Sequence, residues 1–524
     1  MTRRASRAHK LKTLAAPTRQ RRRKKLPVLP IHMTRRRFIT VAALGSAGAW
    51  LTACSRSAVT DPSRPAAPTG RPFLEPEVLP SSNGLLEVTL RAAPAMVPWR
   101  DGTRYAYTYN GSSPGPTLRV RPGDRLVVHL ENELDDDTNL HTHGLHVSPD
   151  GDSDNIFVRV PPGQTRTYTY DIPPEHRSSL FWYHPHAHGT VAKQVAAGLA
   201  GAIVVDDHID DIPEIAASSE RLWILSDPPI GNEPDTLEAG AMDAMMGRSG
   251  DTILVNGSER PDLAVEAGTL ERWRIVNASA SRYYRLALDD HPLHRIASDG
   301  GRLSKPDSVD EIFLAPGERT ELLISPTEPG TYAVRTLPYD RGSAMRTMMG
   351  DGMMGDGMMG SNDTLSTEEA VIATMTIRGR SQATLLPTSL VEADEFAPPA
   401  ATASRVLQLG EQMGTMTAGS MMSFTIDGRT FDADRTDTSA ALNTVEQWEI
   451  RNPTDMDHPI HLHVWPFLVV DAPPETGWKD TINVPAGESV SILVPFTGIK
   501  GRTVYHCHIL DHEDLGMMGT IEVT

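Results

Sequence analysis

Cysteine is nearly absent. The 524 residues carry two, Cys54 and Cys507, each inside a different short motif. A disulfide framework is therefore excluded as the source of stability, and each thiol needs its own explanation. Aromatic residues are scarce at 6%, against Gly 41 and Pro 41, a balance that favours many turns and short strands over long helices. The apolar stretch 41–51 falls well short of the ~20 residues a membrane-spanning helix needs. Lysine is rare too, with only four after residue 53.

Acid is in excess. The net charge is −17, yet residues 1–53 carry fourteen Lys or Arg and no Asp or Glu, so the remainder stands at −31. A body that acidic repels nucleic acid and bare anionic membrane and draws cations, although solubility is the ordinary role of such a surface. A chain of 57.2 kDa has room for about three domains.

The basic leader has an address. Thr34-Arg35-Arg36-Arg37-Phe38-Ile39 resembles a twin-arginine export signal, and Leu51-Thr52-Ala53-Cys54 resembles a bacterial lipobox. The expectation is an export signal over 1–54, lipidation at Cys54 and a tether over 55–80, rich in Pro, Ala, Ser and Thr. Cleavage without lipidation is the alternative, and Met1 and Met33 are both candidate starts. The mature protein is placed in the periplasm or on the outer face of the cell membrane, exported already folded.

One pattern occurs three times. Asn110-Gly111, Asn256-Gly257 and Asp427-Gly428 each precede an alternating strand that ends in Asn132, Asn277 or Asn452. Val160-Pro161-Pro162-Gly163, Leu314-Ala315-Pro316-Gly317 and Val484-Pro485-Ala486-Gly487 follow, and a closing strand ends each copy. Period-two strands between Gly and Pro turns predict an all-β protein of Greek-key β-sandwiches. The predicted domains are 81–207, 219–378 and 404–524, with 379–403 as a linker.

Ten of the 19 histidines fall in four short clusters: His141 and His143; His184 and His186; His458, His461 and His463; and His506, His508 and His512 around Cys507. The first two clusters lie in the first repeat, the others in the third, and none in the second. On a strand, His-x-His puts both rings on one face, so they can converge on a metal. In His506-Cys507-His508 the thiol faces away from the two rings, and one strand can serve two sites back to back. Two imidazoles, a thiolate and a weak thioether make an electron-transfer copper site. Cys507, His512 and Met517 supply three of these groups, and another cluster must give the fourth. One thiolate among ten histidines is not a zinc pattern.

These motifs resemble the multicopper oxidases over roughly 81–524, in the three-domain form of bacterial cuprous oxidases and laccases. The resemblance implies three cupredoxin-like domains, four copper ions and dioxygen as acceptor. It implies a mononuclear copper on His458, Cys507 and His512, with Met517 axial. In the trinuclear cluster it assigns His141 and His461 to one copper, His143, His184 and His508 to a second, and His186, His463 and His506 to a third. Glu513 matches the family's acidic position beside a ligand. Asp154 resembles its other proton-delivery carboxylate, and spacing from His143 allows Asp152 equally. Of the other histidines, His146 and His188 stand three and two residues past ligand positions, as supporting or solvent-facing groups, and His129 reads as a strand residue.

Methionine marks the donor. Residues 345–359 hold seven, Met345, Met348, Met349, Met353, Met354, Met358 and Met359, with glycines that break regular structure. Thioether sulfur prefers Cu(I) over harder cations. Met242, Met245, Met246, Met413, Met416, Met421 and Met422 add further clusters, and the resemblance makes Met456 the closest match to a substrate-copper ligand. Two donors fit: Cu(I), oxidised in copper detoxification, or a phenol, with the segment as a lid. A copper-sequestering role explains the methionines without needing a trinuclear cluster. The chain is expected to work as a monomer.

Overall fold

A computed structural model describes residues 68–206, 211–342, 368–390, 400–417, 420–473 and 476–524. The chain divides into Met1–Pro62 and Ser63–Thr524, and every described residue belongs to the second unit. The leader with Cys54 and the segment carrying Met348, Met349, Met353, Met354, Met358 and Met359 lie outside the described residues, as do the side chains of Met413, Met416 and Met421. Among the described residues no helix is long and apolar enough to cross a membrane.

The fold is all-β. Alternation in sequence becomes alternation in burial: Arg125–Asn132 buries every second residue, sending Leu126, Val128 and Leu130 inward. Residues 78–205 build a five-stranded and a four-stranded sheet, 219–378 a six-stranded and a five-stranded one, and 403–523 two five-stranded sheets. Each pair closes over its own core, centred on Tyr168 and Tyr170, on Trp223 and Trp273, and on Trp448 and Phe496. In all three, an early strand pairs in parallel with the strand that ends at the Asn or just before it: Leu85–Trp99 with Arg125–Asn132, Ser219–Ser226 with Glu271–Asn277, and Ala403–Thr417 with Thr444–Arg451. Parallel neighbours cannot be joined by a tight hairpin, so the chain crosses over in a Greek key. These are three cupredoxin-like sandwiches.

The repeat holds at the level of atoms. Asn110, Asn256 and Asp427 adopt left-handed φ of 54°, 51° and 54°. Each side-chain oxygen accepts a 2.8 Å hydrogen bond from the backbone N–H of Arg91, Ile224 or Gln408. At the far end Asn132, Asn277 and Asn452 donate to the carbonyls of Val160, Leu314 and Val484 at 2.7, 3.1 and 2.9 Å. A buried amide thus ties the end of one strand to the start of the Pro-Gly turn in every copy.

The domains share apolar surface. Leu180, Trp182, Ala202 and Val204 of the first pack on Leu222, Ile224, Val276 and Ala278 of the second. Val191 and Val195 of the helix Val191–Ala197, Ala280 and Leu510 bring all three together. At about 1.5–3 kcal/mol per fully buried large aliphatic side chain, these seams hold the domains in one arrangement.

Candidate metal centre

Strand register builds two sites from one segment. His458–Leu462 pairs with Gly501–Cys507 so that Ile460 faces Cys507 and His461 faces His506. Opposite residues share a face, and the faces alternate. His458 therefore falls on the Cys507 side and His461 on the His506 side. In the first domain His141–His143 pairs with Ser179–His184, His141 opposite His184 and His143 opposite Trp182. The helix Leu510–Asp514 turns His512 toward Cys507 and Glu513 toward the rings behind it.

His458, Cys507 and His512 form one close group. Cys507 Sγ lies 3.5 Å from His458 Nδ1 and 3.9 Å from His512 Nδ1, and the two nitrogens are 3.4 Å apart. Both rings are held from behind: His458 Nε2 meets Thr454 Oγ1 at 3.0 Å, and His512 Nε2 donates to the Met245 carbonyl at 3.0 Å. That leaves each Nδ1 bare and facing the thiol. Phe424 stacks on His512 with ring centroids 3.8 Å apart. Met517 and Cys507 are fully buried, and the Cys507 N–H donates to the Met517 carbonyl.

Eight histidines converge behind it, none more than 1% exposed. His141 stacks on His463 with centroids 3.9 Å apart, and His143 on His461 at 3.7 Å. His186 Nε2 and His463 Nε2 each lie 3.1 Å from His506 Nε2. Close groups comprise His186, His463 and His506; His141, His143 and His184; and His141, His461 and His463. His508 lies just outside them, its centroid 5.1 Å from His143 and 5.7 Å from His184.

Family models described as multicopper oxidase match residues 93–210, 231–354 and 405–524, more than half of the chain. The chain belongs to the multicopper oxidase family. It is 31% identical to the multicopper oxidase mco of Staphylococcus haemolyticus over 86% of this chain and 92% of that protein. It is 29% identical to a laccase of Bacillus subtilis over 79% and 90% of the two. It is also 30% identical to the cell division protein FtsP of Salmonella typhimurium over 80% and 85%. Among solved structures, a multicopper oxidase from Campylobacter jejuni described as a metallo-oxidase superimposes with a TM-score of 0.71, at 29% identity over 87% and 98%. A laccase-like multi-copper oxidase from Ochrobactrum, with oxidase activity toward lignin model compounds, gives 0.71 at 26% over 86% and 100%.

The residues of this multicopper oxidase fit the family's metal. Burial holds the imidazoles of His184 and His458 down at about 3, and those of His141, His143, His186, His463, His506, His508 and His512 well below their usual range, so the rings are neutral and their nitrogens free to ligate. Nitrogens of His141, His143, His184, His461 and His508 are buried with no hydrogen-bond partner, a cost that a shared cation removes. Burial also pushes the Cys507 thiol up, so a bound metal must displace its proton.

The acids sort themselves by burial. Asp154 lies 3.0 Å from His141 Nδ1 and accepts from the Thr142 N–H at 2.8 Å. Burial pushes its carboxyl up to about 7 against the Thr142 bonds. Asp152 is not part of the site: it is 72% exposed and pairs with Arg166. Glu513 is fully buried, 3.3 Å from His506 Nδ1 and 3.4 Å from His186 Nδ1, and burial pushes its carboxyl well above the usual range.

Met456 is buried in the same core as Cys507 and Met517. His146 Nδ1 meets the Val464 carbonyl, His188 meets Phe431 edge to face, and His129 bridges Thr167 and Glu87 across its sheet. The sequence reading missed Asp480, which meets His143 Nε2 at 3.1 Å and Arg319 at 2.6 Å. It also missed Thr454 and the Met245 carbonyl. No local signal marks any of the three.

Proposed function

We propose that this multicopper oxidase is a cuprous oxidase, taking single electrons from Cu(I) and reducing dioxygen to water with four copper ions. The mononuclear copper is assigned to His458, Cys507, His512 and Met517. The cluster is assigned as His141 and His461; His143, His184 and His508; and His186, His463 and His506. Similarity to the mco proteins and the metallo-oxidase supports the family chemistry. One observation carries the choice of Cu(I). The chain runs into the Met-rich segment from Gly342, whose backbone pairs with Met456, and the Asp457 N–H donates to the Arg341 carbonyl. Gly342, the last described residue before the seven methionines, thus stands beside Met456, two residues from His458. Met245, Met246, Met456 and Met517 pack into the core that holds Cys507, a soft lining for a soft ion.

Bound copper would supply one-electron acceptance beside Cys507 and dioxygen reduction among the eight histidines. The protein's own work is positional. His506-Cys507-His508 fixes the distance between the two sites without a mobile loop. Thr454 and Met245 hold the His458 and His512 rings in one tautomer, and burial excludes water from both sites. Glu513 holds a proton on its carboxyl beside His506 and His186, and Asp154 holds one near neutral pH beside His141, where the four-proton demand of water formation falls.

The laccase reading is favoured by the Bacillus relative. The FtsP relatives are described as cell division proteins, and the twelve ligand positions of this chain favour an oxidase over a division role alone. Export through the twin-arginine signal and a lipid anchor at Cys54 belong to the proposal on their motifs. So does a monomer, since one chain carries every ligand position.

Deleting 345–359 tests the donor. Cu(I) turnover should fall strongly while phenol turnover holds or rises, and Met456→Ala should shift cuprous kinetics the same way. Unchanged Cu(I) turnover after the deletion makes the segment a passive insertion and puts the laccase reading first.

A further inference from the structure

The second domain brings no histidine to the cluster, yet it reaches it. The turn before the strand Arg319–Ile324 sits against the His508 ring: a Cβ on Gly317 would lie 2.8 Å from His508 Cδ2. Arg319, the first residue of that strand, is fully buried in side chain, and all five of its guanidinium N–H groups are occupied. Nε donates to the Leu180 carbonyl of the first domain at 3.1 Å. Nη1 donates to Gly317 O at 3.2 Å and Nη2 to Asp299 O at 2.9 Å, both within its own domain. The remaining two bonds form a fork on Asp480 of the third domain, 2.6 Å to each carboxylate oxygen.

We propose that Arg319 is a positioning residue for the histidine cluster, acting through Asp480 on His143 and His461, and that this is the second domain's contribution to the reaction. A carboxylate held by one bond can turn about its own axis. A parallel pair of bonds fixes its plane. With the plane fixed, Asp480 Oδ1 faces His143 Nε2 at 3.1 Å and accepts from Thr481 Oγ1 at 2.9 Å. His143 must then donate from Nε2, which leaves Nδ1 bare and aimed inward, without a partner. His461 Nδ1 donates to the Asp480 main-chain carbonyl at 2.9 Å, and its Nε2 is bare in the same way. Two ligand rings from two domains therefore take their tautomer and direction from one residue that the second domain clamps.

Mere adhesion between domains does not need this pair. Lys479, one residue before Asp480, already bridges to Asp299 and Glu318 of the second domain at 2.9 Å each. What Arg319 adds is direction.

The proposal rests on the eight histidines being copper ligands, and its test separates the two. Full-length Arg319→Lys keeps the charge and loses the fork. Copper per chain, the visible absorption of the Cys507 site and the paramagnetic resonance of the cluster are measured after dialysis against graded chelator. The expected result is cluster affinity about 10- to 100-fold weaker, as for lost supports of metal ligands, with Cys507 absorption unchanged. Asp480→Asn should do the same, and the double variant should be no worse than the weaker single one, because both remove one interaction. Wild-type copper content and resonance in Arg319→Lys, equal loss from both sites, or additive single effects would each overturn the proposal. If Arg319→Lys does not fold, Asp480→Asn alone decides by the same readouts. Wild-type protein that takes up no cluster copper removes the ligand reading, and the proposal with it, whereas normal wild-type uptake with an unaltered variant removes the proposal alone.

Discussion

Asn452→Ala tests whether the repeated asparagine both holds a domain and tunes a metal site. The Asn452 amide donates to the carbonyls of Met456 at 2.8 Å and Val484 at 2.9 Å. Its oxygen accepts from the Thr454 N–H at 3.1 Å and from the Thr454 hydroxyl at 2.7 Å. Alanine strips all four. The Met456 carbonyl keeps the Thr454 hydroxyl as a donor, so the main cost falls on the Val484 carbonyl and the Thr454 N–H. At about 1–3 kcal/mol per buried unsatisfied group, the third domain should lose on the order of 2–6 kcal/mol. Urea unfolding of the copper-free protein measures it as a lower midpoint at unchanged slope. Thr454 also holds His458 Nε2, so the visible band of the copper-loaded variant should shift or broaden. Asn277→Ala is the control, since Asn277 donates to Arg282 and Leu314 and accepts from Ser279 in the second domain, without bonding to Thr454 or His458. It should cost similar stability and leave the band alone. Wild-type stability in Asn452→Ala, or equal spectral change in both variants, would refute the reasoning.

Cys507→Ser should bind copper without the intense blue absorption of a thiolate ligand, and substrate oxidation should stop; a variant that stays blue or active removes Cys507 from the site. Glu513→Gln should slow dioxygen reduction by about 100-fold or more, the scale of a lost proton donor, while reduction of the mononuclear copper proceeds at its normal rate. Equal slowing of both half-reactions in stopped-flow work sinks the proton-donor role.

The convergence of the histidine clusters was legible because their geometry is local. His-x-His on a strand and His506-Cys507-His508 state their geometry in two or three residues, and the register of His461 against His506 follows from alternation. The all-β fold was legible for the same reason, since each copy repeats a turn, an alternating strand and an Asn that closes on a Pro-Gly turn. Asp152 and Asp154 are two residues apart, and only the burial of Asp154 beneath His141 separates a site residue from a surface ion pair. Arg319 and Asp480 are 161 positions apart and sit in different domains, so no periodicity links them. Met245 acts through its backbone carbonyl, a group every residue carries.

The ratio of Cu(I) oxidised to dioxygen consumed tests the central claim most directly. Wild-type protein loaded with copper, given Cu(I) in an oxygen electrode with peroxide assayed alongside, should consume one dioxygen for every four Cu(I), with four protons taken up, two waters formed and no peroxide released. No uptake above the uncatalysed rate, or two Cu(I) per dioxygen with peroxide accumulating, would contradict it.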